Sequence, residues 1–127
     1  MRGDVVERYL AAMAAHDWDA LAATITDDGI VREGPFCDVV EGKQPYVAFL
    51  RGILTALQNY SVDIRRIWQA SERVWFVELT ETFDVGGNPA SYPECILFET
   101  GDDGLICYVS VFIKQPGADA PVSGGRA

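Results

Sequence analysis

Basic residues are scarce in this chain. Among 127 residues there are ten Lys and Arg, one His and nineteen Asp and Glu, for a formal net charge of -9. Nucleic acid is held through cationic side chains on its phosphates, so a nucleic-acid partner is excluded, and an anionic membrane surface is disfavoured for the same reason. Cysteine is also sparse. Cys37, Cys95 and Cys107 are odd in number, widely spaced and without a C-x-x-C pair, and one histidine adds too little for a zinc site. No metal and no cofactor is expected. Apolar runs of membrane-spanning length are missing, and "MRGDVVERYL" carries charges where a secretory leader needs an apolar stretch, so a soluble, reducing, cytoplasmic setting is the expectation.

What the chain does have is the composition of one globular domain. Apolar residues make up 49% and charged residues 23%, and six Phe, five Tyr and three Trp are ample for lining a cavity as well as a core. Asp4, with Glu7 three residues on, forms a capping-box pattern ahead of a helix over 4–15. Its apolar stripe is Val5, Val6, Tyr9, Leu10 and Met13. Asp17 caps a short second helix in "DWDALAATI", "TDDG" breaks it, and a strand follows at about 29–33. Pro45 suits the first turn of a third helix over about 45–58, whose apolar face is Phe49, Leu50, Ile53, Leu54 and Leu57.

After that come strands only: "YSVDIRRIWQA" and "RVWFVELTETFDV" as a hairpin, then "SYPECILFET" and "LICYVSVFIK", separated by "VGGNP" and "GDDG". Residues 1–115 form the domain, and 116–127, without apolar period, read as a disordered tail. Helices first and strands in a run specify an α+β fold, with helices packed on one face of a strongly curved mixed sheet that encloses a pocket. "VWFVEL", "CILF" and "CYVSVF" are apolar at consecutive positions, so both sheet faces are apolar and a homodimer through the sheet face is expected.

The order of elements, headed by "VVERYLAAMAAHDWDALAATITDDGIVREGP", is similar to the nuclear transport factor 2-like superfamily and its cystatin-like cone. Ketosteroid isomerases, SnoaL-like polyketide cyclases and limonene-epoxide-hydrolase-like enzymes share that fold. The resemblance covers about residues 4–114. Aligned without gaps on the isomerases, it places Tyr9 at the oxyanion-holding tyrosine and Glu33 at the general base. Trp18, Phe36 and Phe49 then wall the carboxylate, and Cys95 takes the third catalytic position, with Glu94 on the opposite face of the strand. The hydrolase branch matches Asp84, while Thr82 stands in place of its arginine and Ser110 or Val111 in place of its second aspartate.

Each of these residues also has a plain structural reading. Glu33 before a Gly-Pro corner is a solvated strand end, Tyr9 a core aromatic, Asp84 a turn residue, and Cys95 an apolar filler. The resemblance implies an isomerase or cyclase that moves a proton on a small hydrophobic carbonyl compound, with Glu33 as base and Tyr9 as oxyanion donor. A non-catalytic pocket for a hydrophobic ligand, or a dimer scaffold, is the alternative, and an epoxide-hydrolase-like enzyme stands behind both.

Overall fold

Capping chemistry and apolar spacing account for the N-terminal helices. The computed structural model describes residues 4–115. The expected tail at 116–127 and the capping side chain of Asp4 lie outside the described residues. Helix α1 (Asp4–Ala15) buries Val5, Val6, Tyr9, Leu10 and Met13, the stripe that its spacing predicts. It ends at His16, which takes a left-handed φ of 56° while its N–H bonds to the Met13 carbonyl and the Asp17 N–H to that of Ala12. That is the double hydrogen bond of a Schellman turn, so His16 closes the helix through its backbone.

Helix α2 (Trp18–Ala22) is capped by Asp17, whose carboxylate accepts from the Ala20 N–H at 3.1 Å. It is shorter than expected. The β-branched run Thr24-Ile25-Thr26 leaves the helix, and Ile25 forms an isolated bridge with Ile106.

Strand β1 (Val31–Glu33) is followed by a strand that sequence reasoning missed, β2 (Val39–Glu41), which folds back antiparallel on it with Arg32 opposite Val40. Three residues are too few to display an alternation, so β2 exists only by pairing. Helix α3 (Lys43–Ala56) starts two residues before Pro45; the ring sits in the first turn, where its missing N–H costs nothing. Leu50 and Leu54 are buried as expected and Tyr46 joins them, while Phe49 is half-buried.

Strands β3 (Ser61–Ser71), β4 (Val74–Val85), β5 (Asn88–Thr100) and β6 (Ile106–Ile113) complete a six-stranded sheet of order β2-β1-β6-β5-β4-β3. All neighbours are antiparallel except β1 and β6, so the sheet is mixed. Gly86 and Gly87, both left-handed at φ 59° and 85°, form the two-residue turn between β4 and β5. Pro89 and Pro93 are tolerated in β5 because β6 pairs only from Glu94 onward.

Register breaks between β3 and β4, and between β5 and β6, bend the sheet. The three helices pack on its concave face, where Trp75, Val77, Leu79, Ile96, Phe98 and Val109 meet the α1 stripe. This is the α+β cone.

Candidate functional site

Between α1, α3 and the concave face lies a cavity of about 370 Å³. Its walls are mostly apolar, with Met13 from α1, Phe49, Leu50, Ile53 and Leu54 from α3, and Phe83, Ile96, Val109 and Val111 from the sheet. Pro35 and Phe36 belong to the wall from the loop after β1. Into this apolar space four elements send polar groups: Tyr9 from α1, Arg32 from β1, Glu81 from β4 and Glu94 from β5.

Arg32 and Glu94 are 8% and 7% exposed, which is rare for charged residue types and has to be offset by specific partners. The Arg32 guanidinium lies over the Phe49 ring, 4.9 Å from its centroid, and its Nη1 is 3.5 Å from Asp38 Oδ2. At that length the contact is an ion pair, and Nη1 has no hydrogen-bond partner among the described residues. Glu94 Oε2 is equally unpartnered.

Glu81 and Glu94 interact as neighbouring carboxyls on adjacent strands, and the Tyr60 hydroxyl donates to Glu81 Oε2. Burial raises the Glu94 carboxyl from its ordinary 4.5 to about 10; the hydrogen bond with Glu81 and its charge add to this, and Arg32 opposes it. Glu94 therefore holds a proton at neutral pH.

The hydroxyls of Tyr9 and Tyr46 share a short hydrogen bond below this pair, and the Tyr9 ring meets Phe98 edge-on at 5.0 Å. Burial, then Tyr46, push the Tyr9 hydroxyl well above its ordinary value. Burial brings Tyr46 up to about 12, with the hydrogen bond it shares with Tyr9 and the charge of Arg32 pulling the other way. Both hydroxyls stay protonated; one O–H is spent in their shared bond, and when Tyr46 is its donor the Tyr9 O–H is free for the cavity. The centre thus offers an acid, a neighbouring carboxyl that can act as base, a cation and a phenol, all within one apolar cavity.

The site residues named from sequence are placed as follows. Tyr9, Phe36 and Phe49 line the cavity. Glu33 does not: it is exposed on the outer face and accepts from the Tyr108 hydroxyl at 2.8 Å. Cys95 also lies on the outer face, in register with Glu78 and Phe112. Trp18 packs on the core and stacks on His16 at 5.4 Å, away from the cavity. Asp84 accepts from Asn59 Nδ2 at 2.6 Å and ties the end of β4 to the segment after α3.

The misplacements of Glu33 and Cys95 have one cause. Side chains alternate across a strand, so a slip of one position exchanges the faces. Arg32 takes the inward place expected of Glu33, and Glu94 that expected of Cys95. The inward set Tyr92, Glu94, Ile96, Phe98 was present as a period of two, but the outward set Pro93, Cys95, Leu97 is no less apolar. The parity of Ile30 and Arg32 was the available signal, since Ile30 is fully buried. Among the described residues no group of three or more His, Cys, Asp or Glu side chains is gathered to hold a metal ion, and no helix is long and apolar enough to cross a membrane.

These features of fold and cavity define a class. The SnoaL-like domain family matches residues 6–109, and the chain belongs to that family, within the nuclear transport factor 2-like superfamily. Solved structures agree on the fold. An epoxide hydrolase of the limonene-epoxide-hydrolase-like type from M. tuberculosis superposes with a TM-score of 0.74 at 24% identity, over 89% of this chain and 82% of that one. A candidate ketosteroid isomerase from Kribbella flavida gives 0.76 at 18% identity, over 99% and 90%. A candidate SnoaL-like polyketide cyclase from Shewanella denitrificans gives 0.76 at 11% identity, over 89% and 90%. A search of the curated proteins finds no match.

Proposed function

We propose that this protein is an acid–base enzyme that shifts a proton on a small hydrophobic carbonyl compound. The observation that carries this reading is Glu94: a carboxyl 7% exposed, protonated, with one unpartnered oxygen in the cavity and a second carboxyl beside it. Glu81 takes the proton from the carbon next to the carbonyl, and the electron pair moves onto the carbonyl oxygen. Glu94 donates to that oxygen, and the Tyr9 hydroxyl and the free Arg32 Nη1 donor hydrogen-bond to it as its charge develops. Return of the proton from Glu81 to a different carbon completes an isomerisation; alternatively the enolate carbon attacks a second carbonyl in the same molecule and closes a ring, the new alkoxide taking the proton from Glu81 while the first oxygen returns its proton to Glu94. A positioned acid–base pair of this kind contributes roughly 10²- to 10⁴-fold. The roles once expected of Glu33 and the third catalytic position pass to Glu81 and Glu94, and Tyr9 keeps its own.

The test is loss of α-hydrogen from 2-tetralone in deuterium oxide, followed by proton magnetic resonance. Exchange should be accelerated by the protein and fall about 100-fold in Glu81→Gln and in Glu94→Gln. Exchange at the wild-type rate in both variants would sink the assignment.

Ring opening of an epoxide is a second reading, favoured by the same protonated Glu94 beside Glu81: one carboxyl can protonate the ring oxygen while the other activates water. Diol formation from limonene oxide without α-exchange would select it. Binding without either reaction would mark the cavity as a carrier site. The reading includes a homodimer through the outer sheet face, where Trp68 and Phe112 are 47% and 60% exposed. Sedimentation at a monomer mass across micromolar concentrations would remove the dimer.

A further inference from the structure

We propose that Asp38 sets the charge selectivity of the cavity, so that it accepts uncharged hydrophobic molecules bearing an oxygen acceptor and rejects hydrophobic carboxylates. This rests on the cavity being the ligand site, as in the reading above, and not on proton transfer taking place there.

Arg32 is the feature that would otherwise favour an acid. Its guanidinium is buried in the cavity wall, and Nη1 has no hydrogen-bond partner among the described residues. A buried, donor-rich fork of this kind suits a carboxylate. Asp38 blocks that use. Its Oδ2 stands 3.5 Å from Nη1, near enough to neutralise the cation without occupying its donor. The donor is left for a neutral oxygen.

The position of Asp38 is built into the loop over 34–38. The Gly34 N–H donates to the Asp38 carbonyl at 2.7 Å and the Phe36 N–H to Asp38 Oδ1 at 3.2 Å. The carboxylate also occupies the place of a side chain at Gly34: a Cβ there would lie 2.3 Å from Oδ1. Glycine at 34 is what lets Asp38 turn inward to Arg32.

The remaining charges reinforce the selection. Glu81 brings a second acidic group to the cavity, and Glu94 brings no charge while it holds its proton. With Arg32 matched by Asp38, the lining carries one net negative charge. A carboxylate would add another in a poorly solvated space, whereas a ketone oxygen adds none and can accept from Arg32 Nη1 or from the Glu94 carboxyl.

The experiment is calorimetric binding of two probes of matched shape, 2-acetylnaphthalene and 2-naphthoate, at pH 7. The wild-type protein should bind the ketone at least about tenfold more tightly than the acid, the scale expected from one like charge a few ångströms away in a partly solvated site. Asp38→Asn should raise the affinity for 2-naphthoate about tenfold and leave that for the ketone within about twofold. Gly34→Ala, which keeps the acid but drives its carboxylate off Arg32, should act in the same direction and stands in if Asp38→Asn does not fold.

Equal or tighter binding of 2-naphthoate by the wild type overturns the proposal. So does an unchanged selectivity ratio in a folded variant, and so does failure of both probes to bind. Ketone binding without α-exchange leaves it intact while removing the proton-transfer reading, so the two fail separately.

Discussion

The two faces of the sheet treat charge and apolar surface in opposite ways. The concave face buries Arg32 and Glu94 among aliphatic and aromatic side chains, and leaves one polar atom of each without a hydrogen-bond partner among the described residues. The convex face exposes Trp68 and Phe112, while its own charged pair, Arg66 and Glu78, stays joined across β3 and β4. Folding alone would arrange neither. Burying an unsatisfied charge costs free energy, and exposed aromatics offset none of it. The concave anomaly is what a ligand-binding centre requires; the convex one is what a covered surface requires. Exposed Glu33 and buried Glu94 have the same side chain, and of the two only Glu94 lines the cavity.

The contrast can be broken at its strongest point first. Phe98 is fully buried beneath Tyr9, so Phe98→Ala should cost about 3–5 kcal/mol in urea unfolding. A loss below about 1 kcal/mol would mean that the concave face is not the packed core.

Glu94→Gln should act in the other direction, and with a pH signature. The folded state holds the Glu94 proton up to about pH 10, while the unfolded chain releases it near 4.5. Folding therefore binds a proton throughout that window, and the stability associated with this group falls as pH rises through it. The glutamine variant should flatten the decline and be the more stable protein at pH 8, by on the order of 1–3 kcal/mol. Unfolding midpoints at pH 5, 7 and 9 give the comparison; parallel pH profiles for both proteins would contradict a protonated Glu94.

The smallest effects belong to the convex face. Glu33→Gln keeps an acceptor for the exposed Tyr108 hydroxyl, removes only the charge, and should change stability by less than about 0.5 kcal/mol. It should leave α-exchange unaltered. Phe112→Ser should be equally mild in a monomer, so a cost of 2 kcal/mol or more, roughly that of burying such a side chain, would report that a partner covers it.

Much of the architecture was legible before any coordinates. The α1 stripe, the Asp17 cap, the apolar face of α3 and four long strands follow from spacings of 3.6 and 2 that persist over many residues. Strand β2 was not legible, because three residues carry no period. The site was legible only in part. Tyr9, Phe36 and Phe49 were placed in the cavity, but Arg32, Glu81 and Glu94 were passed over for immediate or near neighbours on the same strands.

The sequence by itself determined the class of fold, the order of its elements and the excess of acidic over basic residues, because those properties are local or summed. Which carboxylate faces the cavity was decided by tertiary structure alone. Strand parity is set by which set of side chains the helices cover, and β5 offers apolar residues on both sides. Once α1 and α3 cover Ile96 and Phe98, Glu94 goes inward with them and Cys95 goes out. Packing made that choice, and the chemistry of the site follows from it.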